Sequence, residues 1–393
     1  MVGQSASREA WRIGIVSAVV GLTSLGLGRF AFAVLLPSMR EGLGLSYAEA
    51  GLVTSANLFG FLLGSLAGGA LAASAGARVV VSGALGLAAA GATLTAFGGS
   101  ALVVGGAQFV VGLGAAGAIV PAQNLPVLWF PPSQRGFASG LPSAGIGIGL
   151  IIAGVLFPAL LAREMVALAG WRLAWLTIAA ALAASAACAG VVLRDRPSAA
   201  RAPVTEGLRS RGIWRLAATY VFFGFSYVSY ATFFGVALAA ERGWTTAAAG
   251  RAWALGGALS VASGLAWGAL SDRLGRRETI ALVFALQAVA YLVMALVPGD
   301  GAVYVSVTLW GITAWGIPSL AAAVATDYVG PRLVHASMGL VSLAGGIGQM
   351  SGPIVTGYVA DLTGHFVPGL VLAATLALAG SAMASRLRRG QGP

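Results

Sequence analysis

The chain has 393 residues, of which 58% are hydrophobic and 9% charged. A soluble domain is about 25% charged, so a large soluble enzyme is excluded. The formal charge of +11 comes from 23 basic and 12 acidic residues, and every basic residue is arginine. That charge is too dilute, and too free of aromatic–basic patches, for a nucleic-acid partner.

A bilayer-crossing helix needs about 20 mostly apolar residues. Twelve stretches qualify in chain order: 13–37, 48–73, 79–97, 101–127, 136–161, 171–193, 214–239, 248–270, 279–297, 302–326, 336–360 and 366–385. The first is too long for a signal-peptide core and is followed by more spans. A charged, proline-containing linker over 194–213 divides the chain into six spans within 1–193 and six within 214–393. The predicted fold class is an all-α membrane protein of twelve transmembrane helices in two six-helix bundles.

The arginines set the topology. With both termini cytoplasmic, 17 arginines fall inside, five fall outside and Arg29 lies within span 1. The outer five are Arg40, Arg163, Arg172, Arg242 and Arg251; Arg196, Arg201, Arg209, Arg388 and Arg389 are among the inner ones. The predicted location is a cytoplasmic membrane, crossed many times. Almost all of the basicity is therefore topology.

The halves also repeat. A shift of 199 residues superimposes Gly51 on Gly250, Gly76 and Arg78 on Gly275 and Arg277, Gly112 on Gly311, Pro132 on Pro331, and Gly147-Ile148-Gly149 on Gly346-Ile347-Gly348. One ungapped shift over spans 2–5 and 8–11 implies parallel repeats about an axis along the membrane normal.

Gly268-Ala269-Leu270-Ser271-Asp272-Arg273-Leu274-Gly275-Arg276-Arg277 lies between spans 8 and 9. It resembles the loop signature G-x-L-x-D-R-x-G-R-R of the major facilitator superfamily. The N-terminal copy, Gly69 to Arg78, has Ala73 where the acid belongs and Ser74 where the arginine belongs. Within the superfamily, Gly26-Leu27-Gly28-Arg29-Phe30-Ala31-Phe32 with Leu35-Leu36-Pro37 resembles the bacterial YbfB/YjiJ-like carriers. The resemblance implies alternating access by two rocking bundles, with Gly268, Asp272, Arg273, Gly275, Arg276 and Arg277 as a gating loop. Asp272 at a helix end is suited to pair with arginine or a helix N-terminus. A plain positive-inside anchor is the alternative. The glycines are expected to give a tight turn and close helix contact.

Arg29 lies about 12 Å, at 1.5 Å per residue, from the outer end of span 1. A charge there is costly unless it faces a cavity or a partner. No acid lies at comparable depth in any predicted span. Arg29 thus reads as an anchor for an anion, or as a side chain snorkelling to the headgroups. Asn57 and Gln108 lie at similar depth and serve either substrate or helix–helix bonding. Phe223, Tyr227, Tyr230 and Phe234 share one helix face, so Tyr227 and Tyr230 either contact a ligand or form a packing stripe. Trp310, Trp315 and Gln349 lie deep in spans 10 and 11; Trp310 and Gln349 join the candidate binding residues. Gln123 and Asn124 sit near the inner end of span 4.

No catalytic constellation, metal set or cofactor motif emerges. Cys188 is expected to be inert packing, and His335 and His365 have no metal-ligand companions. No phosphate-binding G-x-x-x-x-G-K-[ST] motif exists, and there is no lysine to complete one. The expected function is secondary active transport of a small solute, an organic anion, by a monomer coupled to a proton or a counter-anion. A multidrug or amphiphile exporter is the first alternative, and a non-transporting membrane sensor or scaffold the second. An enzyme is not expected.

Overall fold

A computed structural model describes residues 2–131, 134–162, 170–195 and 210–387. Pro132, Arg163, Arg196, Arg201, Arg209, Arg388, Arg389 and most of the linker lie outside the described residues. So do the side chains of Asn124, Arg135, Arg332 and His335.

Among the described residues there is no strand. The first bundle contains α1 (Val2–Gly21) running into a π-helical turn (Leu22–Leu27), then α2 (Phe32–Leu43), α3 (Tyr47–Ala75), α4 (Ala77–Phe97), α5 (Ala101–Asn124), α6 (Arg135–Leu161) and α7 (Gly170–Val192). The second contains α8 (Arg211–Arg242), α9 (Thr246–Leu274), α10 (Arg276–Leu296), α11 (Asp300–Thr313), α12 (Gly316–Thr363) and α13 (Val367–Ala384). Eleven helices are long and apolar enough to cross a membrane, and α9, bent by 46°, completes twelve.

Spans 10 and 11 stay distinct: α12 is two helices that meet at a kink at Gly330 (φ 77°, ψ 169°), ahead of Pro331, where the helical ladder cannot continue. Two expectations change. Span 1 is not one helix but α1 and α2 separated by a break. Cys188 is exposed on α7 rather than packed.

The internal repeat is geometric as well as textual. Gly76 and Gly275, related by the 199-residue shift, both turn the chain with φ near 90°, and Gly44 and Gly243 both have φ near 65°. Ser46 and Thr245, also equivalent, cap α3 and α9 with their hydroxyls. Repeat glycines are spent on backbone approach. A Cβ at Gly112 would overlap the Asn57 carbonyl, and one at Gly311 would overlap Gly256. Such small-residue seams are how helices associate where lipid offers no hydrophobic drive.

The bundles meet along two equivalent seams, α3 with α12 and α6 with α9, and α2 also packs on α8. Gly51 approaches the Pro353 carbonyl in the first seam, and its repeat mate Gly250 approaches Gly154 in the second. Gly235 of α8 receives the Ala33 carbonyl of α2. These approaches run from mid-depth to the face opposite the basic loops. The molecule is therefore closed on that opposite face.

Candidate functional site

Two spans are broken at mid-depth. In span 1 the π-helical turn gives way to a turn over 28–31. The Gly28 N–H bonds to the Thr23 carbonyl at 3.0 Å and the Phe30 N–H to the Leu25 carbonyl at 3.0 Å. The cause is local. Thr23 and Ser24 turn their hydroxyls back onto the Val19 and Val20 carbonyls. Gly26 presses against Gly149 of α6, where a Cβ would overlap. Such elements are recognised causes of helix breaks. In span 10, α11 stops at Thr313, and the Trp315 N–H bonds to the Ser263 hydroxyl at 3.2 Å. The breaks face each other across the bundles: the Phe30 ring lies edge-on to Trp315, centroids 5.9 Å apart.

The first break carries Arg29. Its guanidinium donates to the side-chain oxygen of Gln349 on α12. It also lies 4.8 Å from the Phe61 ring and 5.4 Å from the Phe30 ring, in the range of cation–π attraction. Among the described residues no carboxylate pairs with it. Other arginines away from the basic loops behave differently. Arg172 bonds the Ala96 and Gly98 carbonyls at the end of α4, and Arg242 bonds Met294, Val297 and Gly299 carbonyls at the end of α10. Those two are helix C-caps.

Arg29, Asn57 and Gln108 line one cleft, about 420 Å³ of empty space including its mouth, with Thr54 and Thr232 also on its wall. Asn57 donates its amide to the side-chain and backbone oxygens of Gln108, at 3.0 and 3.1 Å. Gln108 donates in turn to the Thr95 hydroxyl at 3.0 Å. Gln108 is 0% exposed and both ends of its amide are engaged. Its first task is therefore to hold α3, α4 and α5 together. Gln108→Leu is expected to lower thermal stability by about 1–2 kcal/mol, since partners stay buried and unpaired. A thermal melt in detergent checks this.

Behind Phe30 lies an aromatic stack. Tyr227 is parallel to Trp310 at 5.3 Å, Tyr230 to Trp310 at 5.9 Å, and Trp253 to Trp310 at 4.8 Å. The Tyr230 hydroxyl is engaged with Ser306 at 2.8 Å. The Tyr227 hydroxyl and the Trp310 and Trp315 indole N–H groups are buried with no hydrogen-bond partner. Buried donors of that kind usually find one. Arg29, Asn57, Gln108, Tyr227, Tyr230, Trp310 and Gln349 thus form one contiguous cluster at the bundle interface. Gln123 is half-buried on α5, toward the basic face.

Sequence reasoning missed the two helix breaks. The glycines at 26 and 28 beside Thr23 and Ser24 were the available signal for the first. It also missed Phe61 as the ring under Arg29.

The loop between α9 and α10 is a tight turn. Gly275 has φ 94°, a conformation that disfavours side chains. Arg276 pairs with Asp327 at 3.2 Å and Arg277 with Glu278 at 2.8 Å. Asp272 and Arg273 are exposed, and Asp272 has no partner among the described residues. Gly268, expected to sit in a close helix contact, has open space around it.

Twelve spans in two repeated bundles around a mid-depth cluster define a membrane transporter of the major facilitator type, not an enzyme. Residues 21–385 match the family described as the uncharacterised MFS-type transporter YbfB. The chain belongs to that family. It is 29% identical over 356 residues, 88% of this chain and 78% of the relative, to the uncharacterised MFS-type transporter Rv2994 of Mycobacterium tuberculosis. It is 28% identical to the probable nitrate/nitrite transporter NarK2 of the same species, over 69% of each chain. It is 24% identical to the probable sulfoacetate transporter SauU of Cupriavidus necator, over 89% of this chain and 87% of that one. In fold it matches a bacterial homologue of the human lysosomal transporter Spinster, solved in an inward-facing, unoccupied conformation. The TM-score is 0.79, with 17% identity over 97% of each chain.

Proposed function

We propose that the protein is a secondary active transporter of a small organic anion and that Arg29 holds the anion's carboxylate. One observation carries this reading: a guanidinium sits at a helix break at mid-depth, beside a cleft, with an amide oxygen and two rings as neighbours and no acid among the described residues. Burying such a charge is costly, and an anionic ligand would offset that cost by bidentate bonding. The Gln349 oxygen occupies the place a ligand oxygen would take. Asn57, Tyr227, Tyr230, Trp310 and Gln108 complete the binding region, with Gln108 acting through Asn57. Relatives named for nitrate/nitrite, sulfoacetate and hexuronate support an anion.

In this reading the basic face is cytoplasmic, with both termini on that side of the cytoplasmic membrane. The halves 1–193 and 214–393, joined by the linker 194–213, rock about the cluster. The loop from Gly268 to Arg277 acts as the cytoplasmic gate. A monomer suffices, and either the substrate's own proton or a counter-anion supplies the drive.

A thermal-shift screen of purified protein against organic acids tests the class. A ligand at 100 times its dissociation constant adds about 2.7 kcal/mol of stability. The expected result is stabilisation by one or more monocarboxylates that is absent in Arg29→Ala. Stabilisation by cationic amphiphiles alone, equal in both proteins, would overturn the reading.

A further inference from the structure

A helix leaves its first backbone N–H groups unpaired, and α3 satisfies its own in an unusual way. The Ser46 N–H bonds to Glu49 at 2.9 Å and the Glu49 N–H to the Ser46 hydroxyl at 3.1 Å, a capping box internal to the first bundle. The two N–H groups between them go elsewhere. Tyr47 donates to Asp361 Oδ1 at 2.8 Å, and Ala48 donates to Asp361 Oδ2 at 2.7 Å. Asp361 stands near the end of α12, in the second bundle. A single carboxylate therefore caps the α3 N-terminus across the line that separates the bundles. Charge-assisted bonds at the positive end of a helix are the strong kind.

The seam around it is built for closure. Gly51 meets the Pro353 carbonyl and Gly357 meets the Tyr47 carbonyl with no room for a Cβ. The Tyr47 ring packs edge-on against Phe366 at 4.8 Å.

The repeat shows that this cap is a choice. The position equivalent to Asp361 in the first half is Ala162, and α9 is capped by Thr245 of its own bundle. At the other face the asymmetry reverses: Asp272 is in the last turn of α9, whereas the equivalent position in the last turn of α3 is Ala73. The two acids that lack a repeat mate thus stand on opposite faces. The seam of α3 with α12 has Asp361; Asp272 stands at the opposite end of α9, the helix that packs on α6. In this closed-outside state Asp361 is engaged, and Asp272 has no partner among the described residues.

We propose that Asp361 is the outer lock of the transport cycle, a carboxylate that holds the external face shut by capping the α3 N-terminus and must let go when that face opens. It is a positioning residue for transport, and it rests on alternating access and not on the anion-binding role of Arg29. Locks on diagonal corners mean that closing one face and opening the other exchange one acid cap for another.

The test uses the full chain with Cys188→Ser, and spin labels on Gly99→Cys and Gly301→Cys, two exposed positions with open space near the outer ends of the two bundles. Double electron–electron resonance reads the distance between them. The parent is expected to show one short-distance population. Asp361→Ala and the isosteric Asp361→Asn are expected to raise the long-distance population about tenfold, the scale of a lost cap. Asp361→Glu keeps the carboxylate and stays closer to the parent. Asp272→Asn, which loses an acid from the other lock, leaves the short distance dominant. Asn keeps the side-chain volume, so the test stands if the alanine variant does not fold. Unchanged distances in folded Asp361→Ala or Asp361→Asn protein would overturn the proposal.

Discussion

Replacing Arg29 with alanine is expected to cut uptake of the stabilising acid by about 100-fold. A lost charge-assisted pair is worth about 3 kcal/mol, and each 1.4 kcal/mol is tenfold. Arg29→Lys is expected to lose most of that activity too, because an ammonium lacks the planar fork that grips two oxygens at once. The diagnostic feature is the pairing of effects. Arg29 is a mid-depth cation without an acid among the described residues, so removing it leaves no orphaned carboxylate. Insertion and thermal stability should hold or rise while transport falls. Proteoliposome uptake measured beside a thermal melt checks both halves. Full uptake by Arg29→Ala would return the side chain to a structural role.

The second large effect concerns glycine. Gly112→Val is expected to abolish folded protein, because the Cβ lands on the Asn57 carbonyl where α3 and α5 touch backbone to backbone. Overpacking costs about 1–3 kcal/mol when side chains yield, and a helix backbone yields less readily. Size-exclusion of the solubilised variant reads the outcome as loss of the monodisperse peak. Gly112 lies within one bundle, so its cost falls on every conformational state alike. The Gly51 approach to Pro353 lies between bundles, on the face that is closed in this structure.

The fold was legible because hydrophobic length is a coarse signal and the bilayer demands it. The repeat was legible because backbone contacts restrict the residues that fit: Gly51 with Gly250 and Gly76 with Gly275 perform matched tasks in the two halves. The break beside Trp315 was not legible, since span 10 stays apolar through it, and the break beside Arg29 showed only as Gly26 and Gly28 next to Thr23 and Ser24. Arg29 itself was legible by depth and charge. Its partner Gln349 entered as a candidate binding residue deep in span 11, with no link to Arg29. The cap that Asp361 places on α3 was not legible, because capping across bundles depends on which helices become neighbours. Gly268 shows the opposite failure: a motif position expected to make close contact lies open.

The central claim is that an anion's carboxylate takes the place of the Gln349 oxygen on Arg29. An experimental structure with a stabilising acid bound tests it most directly. The predicted result is carboxylate oxygens on the Arg29 guanidinium, with the Gln349 side chain displaced. A ligand bound away from Arg29, with the Arg29–Gln349 bond intact, would contradict it.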